Sequence, residues 1–230
     1  MKKKTIAIIP ARGGSKRIPG KNIKKFAGKP IISYSILAAI ESNLFDVVMV
    51  STDSVEIANI AKAFGAEIPF YRSEQRSDDH ATIEQVIEEV LLNYRDLGEN
   101  FQSFCSILPT VPMLESELLK KSYYHFLENS YHSLIPVVQF SYPIQRALKM
   151  QNDNIVLVNP EHIHSRSQDL EPMFHDCGMF YWMKTKNFFV EKEILGENCG
   201  FVEVPESMVQ DIDTPEDWKL AELKYSLLGK

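Results

Sequence analysis

Residues 8–29 read I-I-P-A-R-G-G-S-K-R-I-P-G-K-N-I-K-K-F-A-G-K. They continue an apolar run, Thr5 to Ile9, that predicts a buried strand, so the stretch reads as the loop leaving that strand. Gly13 and Gly14 allow a tight turn and a close approach of backbone N–H groups to an anion, and Arg12, Lys16, Arg17 and Lys21 supply charged donors around it. A polyphosphate site is the expectation. The P-loop spacing is not met: five residues separate Gly14 from Gly20, Pro19 lacks an N–H, and Asn22 stands where a hydroxyl side chain belongs. The other reading is a solvated basic turn, and the charge distribution opposes it. The first forty residues hold ten Lys or Arg and no acid, whereas the remaining 190 hold 15 basic and 31 acidic residues. Ordinary surfaces intersperse both signs.

Outward from this loop, strands and helices alternate. Pro30 opens a helical pattern through Ile32, Ile36, Leu37 and Ile40, followed by a β-branched strand at Val47 to Val50. Asp53 or Ser54 caps a second helix that Gly65 stops, and Ile68 to Tyr71 is expected as a third strand. Helices at about 82–94 and 116–126 alternate with strands at 104–108 and 134–138. This rhythm predicts an α/β fold, a mostly parallel sheet covered by helices on both faces. Ligands of such sheets lie beyond the carboxyl ends of the strands, where Arg12, Asp53, Arg72, Thr110 and Gln139 are expected to stand. Between Phe140 and Trp182 the rhythm breaks at Tyr142-Pro143, an N-D-N turn at Asn152 and Asn159-Pro160, as a small inserted subdomain would. V-Q-D-I-D-T-P-E-D-W, residues 209–218, then predicts an extended piece and a closing helix with Thr214 as N-cap and Pro215 at its first position.

The chain has 230 residues, 44% of them hydrophobic, and a net charge of −6. That length supports a large α/β domain with an appendage. An acidic chain with one cationic loop argues against general nucleic-acid binding. Cys105, Cys177 and Cys199 show neither disulfide nor zinc spacing and read as reduced, cytoplasmic thiols. No apolar run reaches the length of a membrane span.

Asp211 and Asp213 flank one residue, so in extended chain their carboxylates share a face while Ile212 turns to the core. Two hard oxygen ligands beside a phosphate site suit Mg²⁺. Alternatively, Asp213 and Asp217 serve the N-terminus of the last helix. His80 reads as a local hydrogen-bond former, and His162 and His164 carry no metal signature.

I-P-A-R-G-G-S-K-R-I-P-G-K-N resembles the N-terminal signature of the CMP-sialic acid synthetases, cytidylyltransferases that activate nine-carbon 2-keto sugar acids. F-Y-R-S-E-Q-R-S-D-D-H-A-T, residues 70–82, resembles their second signature, R-S-Q-D-L at 166–170 their R-x-Q-D-L, and D-I-D at 211–213 the pair that holds metal. F-H-D-C-G-M-F-Y-W at 174–182 is similar to the pseudaminic acid branch, from which Cys177 and Met179 depart. Leu108 stands where the sialate-activating enzymes have a glutamine.

The resemblance implies a Rossmann-like nucleotidyltransferase fold, with a catalytic domain of residues 1–139 and 183–230 and an inserted sugar-binding and dimerisation subdomain of 140–182. It implies a homodimer that takes CTP and a sugar acid, pseudaminic acid foremost and sialic or legionaminic acid as alternatives, for cell-surface glycan or flagellin glycosylation. Around the nucleotide it places Ala11, Arg12, Gly13, Gly14, Ser15, Lys21 and Asn22 of the loop, and Arg72, Asp79 and Thr82 of the second signature. Around the sugar it places Leu108, Thr110, Gln139, Arg166, Gln168, His175 and Asp176, with Arg166 often supplied by a partner subunit. Arg12, Lys16 and Lys21 are expected to act with Mg²⁺ on Asp211 and Asp213. A P-loop-like hydrolase and a non-catalytic nucleotide-binding protein are the readings from other classes.

Overall fold

A computed structural model describes residues 4–77 and 81–229. The expected nucleotide contact Asp79, and His80, lie outside the described residues. The chain runs β1 (Thr5–Pro10), a small hairpin β2 (Lys25–Phe26) and β3 (Lys29–Pro30), α1 (Ile32–Ser42), β4 (Val47–Ser51), α2 (Val55–Ala63), α3 (Ile83–Asp96), β5 (Ser103–Ile107), α4 (Ser116–Glu128) and β6 (Ser133–Gln139). It continues through a hairpin β7 (Leu148–Gln151) and β8 (Asn154–Leu157), then β9 (Phe174–Asp176), β10 (Phe180–Lys184), α5 (Thr185–Glu191), β11 (Cys199–Glu203) and α6 (Pro215–Leu227).

Seven strands form the main sheet in the order β4-β1-β5-β10-β6-β11, with β9 also paired to β6. β1 is parallel to β4 and β5, and β11 to β6, while β9 and β10 run antiparallel to their neighbours. Strict alternation along β1 builds two cores. Ala7 and Ile9 face α1, α2 and α4 through Ile36, Ile57 and Phe126, and Ile6 and Ile8 face α3 and α5 through Val90 and Phe188. The sheet is therefore mixed, five strands running one way and β9 and β10 against them, with helices on both faces as expected.

Two features depart from the sequence reading. Ile68 to Tyr71 forms no strand: the chain touches β4 through one bridge, Met49 to Glu67, and Pro69 then has no N–H with which to extend the ladder. β9 and the first residues of β10, in the segment expected as an insert, lie in the main sheet. They form one strand broken at Cys177–Met179, where Gly178 takes a left-handed φ of 60° and its N–H donates to Asp176 Oδ1 at 2.9 Å. Its aromatic run is core: Trp182 is fully buried, stacks on Phe45 and donates from Nε1 to Ser122 Oγ at 2.9 Å. The β7–β8 hairpin forms a separate sheet, turning through Asn152 and Asp153 with φ of 50° and 61°, the left-handed pair a two-residue hairpin loop needs.

A third core, smaller than the other two, places the carboxyl-terminal helix. Ile18, Phe26 and Ile31 of the loop region pack on Ile212, Trp218 and Ala221, with Tyr34 and Tyr225 at the edge. Thr214, the predicted N-cap, forms a capping box with Asp217 and Pro215 occupies the first helical turn, so α6 starts immediately after the D-I-D segment.

Candidate active site

A cavity of about 320 Å³ opens at the carboxyl ends of β1 and β5, where a parallel sheet leaves room for ligands. Arg12, Lys16, Arg17, Lys21, Arg72 and Arg76 line it, and no carboxylate does among the described residues. Ser15, Asn22, Thr82 and Thr110 complete the polar wall, so Thr110, expected at the sugar, faces the cationic cavity. Six cations around one small volume create a field suited to a polyphosphate.

The loop is held differently from a P-loop. Ala11 is buried and donates its N–H to Ser51 O at 2.9 Å, which makes it a strut and not a cavity wall. Gly13 N–H donates to Asp53 Oδ1 at 2.8 Å, and Ser15 N–H donates to Gly13 O at 3.0 Å. The expectation that Gly13 offers its N–H to an anion is therefore corrected. An added Cβ at Gly13 would come within 3.3 Å of Ser54 Cβ, a tight contact, whereas at Gly14 it would meet nothing within 4 Å. Asn22 is buried and its Nδ2 donates to Arg12 O at 2.9 Å, bracing the loop from within.

Arg72 is 8% exposed and donates from Nε to Ser51 Oγ at 3.1 Å and from Nη2 to Ser51 O at 2.6 Å. The side chain turns inward over the end of β4. Burial pushes its pKa down to about 10, against the opposing pull of Asp53 and Glu89. Thr82 caps α3 in a box with Gln85.

The D-I-D segment meets the same loop. Ile212 is fully buried, and Arg17 Nη1 donates to Asp213 Oδ2 at 2.6 Å. Lys21 Nζ donates to Ile212 O at 2.6 Å and lies 3.4 Å from Asp213 Oδ1. Burial and the nearby Asp213 charge raise the Asp211 pKa, with Lys21 opposing. Two carboxylates that repel each other beside a cationic cavity have the donor chemistry that suits a hard divalent cation. Among the described residues no group of three or more His, Cys, Asp or Glu offers an all-protein cage. Asp217, the alternative partner of the helix start, takes the capping role itself by accepting from Thr214 N at 2.7 Å.

A second cavity of about 610 Å³ adjoins the first, and Leu108 lines both. Gln139, His175, Asp176 and Asp211 also line the second, bringing four expected residues together there with Leu108. Asp176 is occupied: Oδ1 accepts from Gly178 N–H, and Oδ2 accepts from Tyr181 OH at 2.6 Å. It shapes the wall through those bonds. Gln168 lines a separate groove that shares Gln139 and Phe140 with this cavity, and Arg166 is exposed and lines neither of the two cavities. Glu206, Gln210 and Lys224 complete the second cavity, and sequence patterning did not single them out. Lys224 Nζ donates to Val209 O at 2.6 Å, a link between α6 and the preceding loop with no signature in local periodicity.

A cytidylyltransferase family model matches residues 6–208. The chain is 39% identical to a pseudaminic acid cytidylyltransferase of Campylobacter jejuni, over 97% of each chain. It is 34% identical to a CMP-N,N'-diacetyllegionaminic acid synthase of Legionella pneumophila, over 94% of each. In fold it is similar to a CMP:2-keto-3-deoxy-manno-octonic acid synthetase solved with CTP, at a TM-score of 0.70 and 18% identity, over 98% of this chain and 99% of that one. A family model that spans most of the sequence and relatives matched nearly end to end agree with the loop, the sheet and the paired cavities: the chain belongs to the cytidylyltransferase family.

Proposed function

We propose that this protein transfers CMP from CTP to pseudaminic acid, releasing diphosphate. The observation that carries this is the pair of adjoining cavities, one lined by six cations and one of mixed polarity, sharing Leu108 as their common wall. The sugar's anomeric hydroxyl oxygen bonds to the α-phosphorus, the bond from that phosphorus to the bridging oxygen of the β-phosphate breaks, and the hydroxyl proton passes to solvent. Catalysis of such a transfer is mostly positioning and charge neutralisation. Arg12, Lys16 and Lys21 hold the triphosphate and offset charge gathering on the departing diphosphate. Lys21, bonded to Ile212 O, couples that grip to the carboxylate segment. Asp211 and Asp213 would hold Mg²⁺, which when bound neutralises phosphate charge and acidifies the attacking hydroxyl.

The backbone of Leu108 is pinned, its N–H donating to Met179 O at 2.9 Å and its carbonyl accepting from Ser35 Oγ at 2.7 Å. Its side chain therefore stands at the junction as a fixed apolar surface, which suits a deoxygenated or acylated sugar substituent better than a hydroxyl. The test is diphosphate release from CTP and Mg²⁺ with pseudaminic, legionaminic, N-acetylneuraminic and 3-deoxy-octulosonic acids offered separately. Pseudaminic acid is expected to turn over fastest, and Leu108→Gln to lower its kcat/KM advantage over N-acetylneuraminic acid by about 10-fold or more. Faster turnover of another acid refutes the substrate assignment, and no release with any refutes the activity.

The active form is a homodimer on this reading, working in the cytoplasm, in keeping with three free cysteines. The register of β7 with β8 sets Leu148, Met150, Ile155 and Leu157 on one hairpin face. Met150 is 88% and Tyr142 86% exposed, an apolar display that a second copy would cover. Met150→Asp is expected to shift the mass measured by light scattering from dimer to monomer while leaving the Tm of the subunit core nearly unchanged. A monomeric parent protein would sink this assignment.

A further inference from the structure

Asp53 takes no part in the chemistry described above, yet it stands where the two arginine-bearing segments of the first cavity meet. It follows β4, beside β1 in the sheet, and Pro10 pairs with Ser51 one step before both chains leave the sheet. Three bonds converge there: Ala11 N–H to Ser51 O, Arg72 N–H to Thr52 O, both at 2.9 Å, and Gly13 N–H to Asp53 Oδ1 at 2.8 Å. The last ties the phosphate loop to the chain segment that also carries Arg72. A carboxylate so close to a triphosphate site is unfavourable unless it is turned away from the ligand, and Asp53 is not among the residues lining the cavity. It is aimed at the Gly13 turn, and its charge favours the cationic form of Arg72, whose buried guanidinium is bonded by Ser51. A buried cation without a compensating charge is costly, so the coulombic pull of Asp53 favours the charged guanidinium.

We propose that Asp53 is a positioning residue for the nucleoside triphosphate: it ties the Gly13 turn to the end of β4 and offsets the buried charge of Arg72, fixing the separation at which the Arg12 loop and Arg72 enter the first cavity. This rests on reading that cavity as the triphosphate site.

The test is CTP affinity by calorimetry without sugar acid, with KM for each substrate, kcat and Tm, for Asp53→Ala, Asp53→Asn and a control, Ser54→Ala. Ser54 caps α2 by accepting from Ile57 N–H at 3.4 Å, so the control weakens the neighbouring helix without touching the loop bond. Asp53→Ala is expected to weaken CTP binding and raise the KM for CTP by about 10-fold to 100-fold, the scale for losing a hydrogen bond to a charged group. The KM for the sugar acid should stay within about 2-fold of the parent, because Asp53 touches nothing in the second cavity. Asp53→Asn, whose amide oxygen still accepts from Gly13 N–H, should recover part of the loss. Ser54→Ala should lower Tm and leave CTP affinity unchanged. CTP affinity in Asp53→Ala equal to the parent overturns the proposal, as does a loss in Ser54→Ala that matches it. If Asp53→Ala does not fold, Asp53→Asn decides: a raised KM for CTP at parental Tm supports the role, and an unchanged KM overturns it. A parent protein that binds no CTP fails at the earlier step, the reading of the cavity itself.

Discussion

Replacing Asp213 by Asn is expected to slow diphosphate release by about 100-fold to 1,000-fold, on the order of 3–4 kcal/mol at the transition state, while the protein stays folded. Asn matches Asp in shape, and the helix start beside it is secured independently by Thr214 and Asp217. What disappears is a negative charge at the point where Arg17 and Lys21 converge. In the structure those two cations balance Asp213, and under the proposed mechanism Lys21 also grips the triphosphate. An amide neither holds a hard cation well nor balances the loop. The measurement is the initial rate at saturating CTP, Mg²⁺ and sugar acid beside a thermal melt, with Mn²⁺ binding followed by electron paramagnetic resonance. A full-rate Asp213→Asn enzyme sinks the catalytic assignment. Slow turnover with undiminished Mn²⁺ binding keeps Asp213 in catalysis but removes it as a metal ligand.

Replacing Phe26 by Ala is expected to cost about 3–5 kcal/mol of stability, the usual range for deleting a fully buried aromatic ring. In a chain of this size that lowers Tm by about 10 °C. Phe26 is fully buried and meets Tyr34, Trp218 and Tyr225 edge-to-face, at centroid distances of 5.8, 5.6 and 5.4 Å. It is the centre of the small core that fastens α6, and with it the D-I-D segment, to the cationic loop. Turnover should therefore fall along with Tm, measured below the transition, because Asp211 and Asp213 lose their fixed relation to Lys21. Phe26→Leu, which refills part of the space, should recover much of both. A Phe26→Ala protein with the parental Tm would show that this cluster does not hold the two segments together.

Arrangement of the elements followed closely from the order of residues. Alternating apolar runs and helical periodicities are local, and they yielded β1, α1, β4, α2, α3, β5, α4 and β6 in sequence. Ile68 to Tyr71 was misread because its apolar content matches a strand, while Pro69 and an edge position allow only one bridge. The role of β10 was missed for a different reason. Its aromatic run reads equally well as core or interface, and nothing local says that it returns antiparallel between β5 and β6.

By itself, the sequence determined the cationic loop after the first strand, the cap that starts the last helix, and the outward placement of two carboxylates on either side of Ile212. Each depends on residues within a few positions of one another, where backbone geometry leaves little choice. Only the tertiary structure decided that Asp213 reaches Arg17 from 196 residues away, that Asp53 takes up the N–H of Gly13, and that Leu108 is shared by the two cavities. Those contacts arise from sheet order and from the packing of Phe26 on Trp218. Burial of apolar surface drives such packing but is non-directional, so a local pattern does not specify which distant segments it brings together.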